Sequence, residues 1–111
     1  MDQSEVWRIW EKYLTAKGHR VGRPADLLVS RNSRRKRFYW LLFSSTRARK
    51  AFSRAQLSRI RKALSRCERE GGNLYIVVCF TQPSERKFVA ASAQYVLENK
   101  ELYADKGGVF L

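Results

Sequence analysis

The sequence predicts an α/β protein in which helices flank a mixed central sheet. Two segments carry apolar residues at helical spacing, two other runs are apolar throughout like strands buried on both faces, and the two types alternate. A helix between strands is typical of sheets that contain parallel pairs. The 111 residues correspond to one domain, residues 1–111, and their 44% apolar content can form a packed core.

The first element is predicted to be a helix, with Ser4 as its N-cap and Gly18 as its stop signal. Its apolar residues are spaced to form one face: Val6, Ile9 or Trp10, Tyr13 and Leu14. Tryptophans can stack on nucleic-acid bases, but at this spacing they are more often buried. We therefore expect Trp7 and Trp10 to pack in the core.

A hairpin is predicted next. Residues 25–30 have the character of a short strand, and residues 38–43 are apolar throughout. Between them, residues 31–37 combine a turn signal with five bases. The two strands should therefore form a hairpin with a strongly cationic tip.

The second helix follows a basic connection. Ser53 and Gln56 have the spacing of a capping box, and Gly71 marks the end of the helix. The strongest strand signal of the chain, residues 73–80, comes directly afterwards. The order is thus helix, strand, strand, helix, strand.

Weaker signals complete the chain. Residues 87–91 indicate another strand, and residues 95–97 belong to a short irregular or helical piece. Glycines at 107 and 108 precede a closing apolar segment.

The charge is concentrated in the middle of the chain. There are 23 Lys and Arg against 10 Asp and Glu, and fifteen of the bases but a single acid lie between Arg20 and Arg66. So strong a field favours a polyanionic partner, and nucleic acid is the first candidate because cations neutralise its phosphates. A solvated surface without a partner is the alternative. A membrane partner is not expected, because no apolar run approaches the ~18 residues of a span and the bases are not confined to one helix.

Several other classes of function are disfavoured. Two cysteines, Cys67 and Cys79, are too few for a disulfide scaffold or a structural zinc site, so we expect buried, reduced thiols. The lone histidine, His19, has no serine or cysteine that the sequence ties to it, and we expect it to be exposed or to cap a turn. The polar, acidic amino terminus does not resemble a signal peptide, which predicts a cytoplasmic protein.

Six pieces of the chain carry a family resemblance. They are an amphipathic helix that ends at Gly18, the strand at Asp26-Leu27-Leu28-Val29, an apolar strand followed by Ser45-Thr46 and bases, a helix from Gln56 to Glu70 that runs into Gly71-Gly72, the strand from Leu74 to Phe80, and the closing Gly107-Gly108-Val109. In order and spacing they resemble the archaeal Holliday junction resolvases, of the nuclease superfamily named for its PD and (D/E)xK motifs. The resemblance implies a restriction-endonuclease-like core and a symmetric homodimer.

The nuclease motif is degenerate. In the active family, the strand aspartate, an acid on the next strand and a lysine two residues later hold a divalent metal and activate water. Asp26 keeps the first position, but Leu42 stands at the acid position and Ser44 at the lysine position. We therefore expect no metal, no cofactor and no catalytic residue. The vestigial Asp26 is expected to pair with an arginine or cap a turn.

These observations predict a non-catalytic protein that binds branched or structured DNA, with RNA less favoured, and that associates with the nucleoid. An active nuclease is a second candidate partner beside the homodimer. The phosphate contacts are assigned to eleven residues: Arg23, Arg31, Arg34, Arg35, Lys36, Arg37, Arg47, Arg49, Lys50, Arg54 and Arg61. Such contacts position nucleic acid without reading its sequence.

Three alternatives stay open. The chain could be an inactive structural subunit of a complex similar to the archaeal tRNA-splicing endonucleases, which would show as a heteromer that prefers RNA. It could be a general nucleoid protein without structural preference. It could also be an active nuclease with a relocated site, in which Glu5 or Glu11 of the first helix enters, although neither supplies the missing lysine.

Overall fold

The computed structural model describes residues 3–22, 27–81 and 86–111. Within these residues, three helices and eight strands follow one another along the chain. They are α1 (Gln3–Ala16), β1 (Arg20–Gly22), β2 (Leu28–Arg31), β3 (Arg37–Ser45), β4 (Arg49–Ala51), α2 (Arg54–Arg69), β5 (Asn73–Phe80), β6 (Lys87–Ser92), α3 (Ala93–Asn99), β7 (Glu101–Tyr103) and β8 (Val109–Phe110).

The main sheet is mixed, as predicted. Its strand order is β1-β2-β3-β5-β6-β8, and β4 pairs with β7 in a separate small sheet. β3 and β5 are parallel neighbours, with Leu42 opposite Val77, whereas the other pairs of the sheet are antiparallel. A parallel pair requires a crossover connection, and α2 provides it.

Helices cover both faces of the sheet. Alternate residues of β3 point to opposite faces: Leu41 packs in the cluster that contains Ile60 of α2, and Leu42 packs in the cluster that contains Trp10 of α1. Both leucines are completely buried, which stabilises the fold by about 1.5–3 kcal/mol each. The continuous apolarity of residues 38–43 therefore has the predicted cause, and Trp7 and Trp10 are buried packing residues as expected.

Local signals set the helix ends. At the start of α2, the Gln56 amide donates to Ser53 Oγ at 3.1 Å, and the Ser53 amide donates to Gln56 Oε1 at 2.9 Å, which completes the predicted capping box. Gly71 follows α2 with a φ of +74° and Gly18 follows α1 with a φ of +88°, a region that glycine enters without steric cost.

Some sequence predictions were wrong in detail. Ser4 lies inside α1 and is not its N-cap, because the helix already includes Gln3. Four strands of two or three residues, β1, β4, β7 and β8, were not predicted, since so few residues show no alternation. The piece at 95–97 is part of α3. Among the described residues, no helix is long and apolar enough to cross a membrane.

Candidate nucleic-acid interface

The two positions assigned from the sequence to the missing acid and lysine lie toward the carboxyl end of β3. Leu42 is completely buried beneath α1, and its carbonyl oxygen accepts a 2.6 Å hydrogen bond from Gln3 Nε2. Ser44, two residues further along, is exposed. Asp26 lies outside the described residues. In the part of the chain that the structure does describe, no group of three His, Cys, Asp or Glu residues could hold a metal ion.

The tip of the β2–β3 hairpin carries three of the predicted cations. Asn32 organises the loop, because its Oδ1 accepts from the amides of Arg34 at 3.0 Å and Lys36 at 2.9 Å. Arg35 adopts a left-handed φ of +62°, which lets the chain reverse. Arg34, Arg35 and Lys36 are all exposed, so the predicted cationic tip is confirmed.

The base of the hairpin is tied to the end of α2. Arg31 lies opposite Arg37 in the strand register, and Arg37 Nη1 donates to the Tyr39 hydroxyl at 3.2 Å. That hydroxyl donates to Glu70 Oε2 at 2.7 Å, and Arg66 Nε lies 3.5 Å from Glu70 Oε1. The Tyr39 hydrogen bond is the main reason why the pKa of Glu70 is lowered. The Glu70 carboxylate therefore lies between the cations of the hairpin and those of α2.

The exposed side of α2 forms a basic groove, and its cations were not among the predicted phosphate contacts. Arg59, Lys62 and Arg66 recur at three- and four-residue spacing, which places them on one stripe of the helix. The groove has a volume of about 490 Å³ and its walls are Leu27, Ala55, Ser58, Arg59, Lys62, Ala63 and Arg66. The Arg59 guanidinium lies 5.7 Å from the centroid of the Phe43 ring, so it sits above the sheet at β3.

The two cations predicted on this helix lie elsewhere. Arg54 and Arg61 are exposed, but neither lines the groove. Because successive helical residues are separated by about 100°, Arg61 points away from the stripe that contains Lys62. The three- and four-residue spacing of the groove residues was the sequence signal that could have identified them. The sequence does not say, however, which stripe of the helix lies beside a neighbouring strand, because that depends on how the helix packs on the sheet.

At the other end of β3, Lys50 continues the basic surface. Its Nζ donates to Gln56 Oε1 at 3.2 Å and lies 5.5 Å from the Phe52 ring centroid. The Phe52 ring packs edge-on against Phe43 at 5.2 Å, so Lys50 and Arg59 cover one aromatic pair. Burial lowers the pKa of Lys50.

The Arg49 side chain makes a structural contact with Glu101. Its Nε donates to Glu101 Oε2 at 2.6 Å, across the pairing of β4 with β7. The hydrogen bond with Glu101 is the main reason why the pKa of Arg49 is raised. Arg23, a further predicted contact, lies outside the described residues.

The cations of the hairpin tip, of the α2 groove and of the segment after β3 together define a basic track. We define it as the tip cations, the groove cations and the cations at the end of β3: Arg34, Arg35, Lys36, Arg59, Lys62, Arg66, Arg47 and Lys50. α2 runs antiparallel to β3. Gln56, near the start of α2, is hydrogen-bonded to Lys50, which follows β3 in the chain, and Glu70, at the end of α2, is hydrogen-bonded to Tyr39, near the start of β3. β3 has nine residues, and at ~3.3 Å per residue its ends lie about 26 Å apart.

Comparison with known proteins identifies the architecture. No protein-family model and no curated protein sequence matches the chain. A solved structure does: Hjc, a Holliday junction resolvase of Archaeoglobus fulgidus, superposes with a TM-score of 0.60 over 82% of this chain and 77% of that chain. The chain has the fold of this resolvase. The predicted restriction-endonuclease-like α/β fold is therefore confirmed, and at 13% identity the likeness establishes the fold alone.

Proposed function

We propose that the chain is a DNA-binding protein of resolvase fold that holds branched or structured DNA without cleaving it. The observation that carries the proposal is the basic track, which extends about 26 Å along β3. At ~3.4 Å per base pair this distance corresponds to about eight base pairs. Cations spread over that length can contact several phosphates at once, which gives strong dependence on salt.

The preference for DNA junctions rests on the combination of fold and charge. Hjc, with which the chain shares its fold, is a Holliday junction resolvase. The track consists of basic side chains around a hairpin and along a helix, and phosphate contacts of this kind respond to the path of the backbone and not to base sequence. A junction places backbones at angles that linear duplex lacks, so we expect recognition by shape.

The absence of cleavage is proposed from the motif positions. The Leu42 side chain offers no ligand atom and is completely buried, and Ser44 cannot supply the positive charge of a lysine. A carboxylate of α1, Glu5 or Glu11, would not replace the missing lysine.

A homodimer is part of the proposal. β8 pairs with β6 and forms one edge of the main sheet. Its Phe110 side chain is 64% exposed, and an edge strand offers unpaired backbone groups to a second chain. Sedimentation velocity of the wild type and Phe110→Asp tests this element: we expect a dimer that the substitution converts to monomer.

Binding and cleavage are tested together. A four-way junction, linear duplex, single-stranded DNA and structured RNA are titrated at two salt concentrations, with and without Mg²⁺ or Mn²⁺. The test variant combines Arg59→Gln, Lys62→Gln and Arg66→Gln. The control combines Arg8→Gln, Lys12→Gln and Lys17→Gln, which removes equal charge from α1, on the other face of the sheet, and from the turn that follows it.

We expect tight, uncleaved junction complexes. The groove variant should lower the salt dependence, d log K/d log[salt], by about 3 in magnitude, and the α1 control should lower it much less. Metal-dependent nicking would mean that the chain is an active nuclease. Preference for RNA within a heteromer would instead favour a subunit of the tRNA-splicing type, and equal affinity for all DNA shapes would favour a nucleoid protein.

A further inference from the structure

A second feature lies at the carboxyl ends of the two parallel strands. In the register of β3 with β5, Ser44 lies opposite Cys79 and Ser45 opposite Phe80. The carboxyl ends of parallel strands are where open α/β sheets bind ligands. A pocket of about 310 Å³ opens there, and its walls are Ser44, Ser45, Thr46, Arg47, Lys50 and Thr81.

The chemistry of this pocket suits an anion. Among the described residues, its walls contain two cations and four hydroxyl groups and no carboxylate. A divalent metal ion would need carboxylate or carbonyl oxygens directed at it, whereas a phosphate group accepts hydrogen bonds through every oxygen. The donors in the pocket therefore match a phosphate.

Two of the hydroxyl groups hold the pocket in shape. Ser45 Oγ accepts from the Arg47 amide at 3.2 Å and donates to the Arg47 carbonyl oxygen at 3.0 Å. Thr81 donates to the Ser45 carbonyl oxygen through its amide at 3.0 Å and through Oγ1 at 3.3 Å. These contacts fix the backbone between β3 and β4 against the end of β5.

The other two hydroxyl groups are available to a ligand. Within the described part of the chain, Ser44 and Thr46 make no side-chain hydrogen bond, and both are exposed. Lys50 is partly buried and uses one of its three N–H donors on Gln56. Burial lowers the pKa of this lysine, and a neighbouring anion would raise it again.

We propose that this pocket binds one phosphate group directly, with charge from Arg47 and Lys50 and hydrogen bonds from Ser44 and Thr46. On the proposed function, which this inference deepens, that group belongs to the nucleic-acid backbone. The pocket would then anchor one end of the basic track without a metal ion.

The first test uses inorganic phosphate. In ¹H–¹⁵N spectra, the amide signals of residues 44–47 and Thr81 should shift saturably with phosphate and not with sodium chloride of equal ionic strength. Lys50→Gln should abolish the saturation, as should the double variant Ser44→Ala with Thr46→Ala. Lys12→Gln, on the other face of the sheet, should retain it. The Lys50 pKa, followed through its side-chain carbons, should rise with phosphate.

The second test identifies the source of the phosphate. For a four-way junction, Lys50→Gln should lower the magnitude of the salt slope by about 1 relative to wild type. Saturable phosphate shifts with an unchanged slope would overturn the backbone assignment and point to a small phosphorylated ligand. No saturable shift in the wild type would overturn the pocket itself. Failure of the wild type to bind any nucleic acid would overturn the proposed function, whatever the phosphate spectra show.

Discussion

The Tyr39 hydroxyl donates a 2.7 Å hydrogen bond to Glu70, and this contact joins β3 to the end of α2. Tyr39 is buried, whereas the Glu70 carboxylate is partly exposed. Arg37 donates to the same hydroxyl, so one tyrosine links the cationic hairpin to the helix that carries the basic groove. The contact therefore lies between the two halves of the track.

Tyr39→Phe is expected to destabilise the protein by about 1 kcal/mol, because it removes a hydrogen bond to a charged group. It should also raise the pKa of Glu70, since the Tyr39 bond is the main cause that lowers it. Urea unfolding and NMR titration of the carboxyl measure both effects. Tyr103→Phe, which removes an exposed hydroxyl bonded to Glu101, is the control and should leave the Glu70 pKa unchanged. An unchanged Glu70 pKa in Tyr39→Phe would contradict the assignment.

Gly72→Ala is expected to be destabilising for lack of space. An added Cβ would lie 2.6 Å from Tyr39 Cδ2 and closer still to Cε2, and relief of such overpacking costs about 1–3 kcal/mol. The control is Gly22→Ala, where no heavy atom lies within 4 Å of the added carbon, and we expect a change below about 0.5 kcal/mol. Thermal unfolding of the two variants measures the difference. Equal melting temperatures would refute the steric explanation.

His19 is expected to make stability depend on pH. It is partly buried, contrary to the sequence prediction, and its Nδ1 lies 3.0 Å from Ser30 Oγ, which also accepts from Trp40 Nε1 at 2.9 Å. Burial lowers the pKa of His19 below its ordinary value of 6.5. As the pH falls, His19 therefore takes up a proton in the unfolded chain before it does so in the folded chain. The stability that the neutral, partly buried His19 contributes is present above pH 6.5 and is lost as the pH falls from 6.5 to the lowered pKa.

The measurement is the free energy of unfolding in urea between pH 7.5 and pH 5.5. Wild type should lose stability toward the acid side of this range, and His19→Gln should flatten the curve. The same slope in the variant would assign the pH dependence to another group.

Both cysteine thiols are expected to be unreactive in the folded protein. Cys67 and Cys79 are buried, and burial raises the pKa of Cys67 to about 11, so at pH 8 the nucleophilic thiolate is scarce. A disulfide-exchange reagent should modify neither thiol until guanidinium unfolds the chain. Ser65→Cys, at an exposed position of α2, should react at once and serves as the control. Rapid reaction of a native thiol would show that the core around it opens.

The length of the basic track predicts a threshold in duplex length. Because the ends of β3 lie about 26 Å apart, a duplex shorter than about eight base pairs cannot contact both the hairpin tip and the end of β3. Affinity should rise steeply up to that length and then increase slowly. In a variant that combines Arg34→Gln, Arg35→Gln and Lys36→Gln, the threshold should move to shorter duplexes. A threshold that does not move would exclude the tip from the interface.

Local signals in the sequence were sufficient for most of the fold. The capping box at Ser53 and the glycine stop at Gly71 depend on contacts within a few residues, and both were predicted. The apolar run at 38–43 was interpreted correctly because burial on both faces leaves no alternation. The position of His19 was not predicted, because its partner Ser30 lies on β2, eleven residues away in the sequence.

What the sequence by itself determined is the element order, the mixed sheet and the concentration of charge, because propensity, periodicity and composition are local properties. What only the tertiary structure decided is which cations share a surface. Arg59 faces the groove and Arg61 does not, although both are arginines and Arg61 is only two residues further along the helix. The direction of each depends on how α2 sits on β3, and that placement is set by long-range packing such as Ile60 against the sheet.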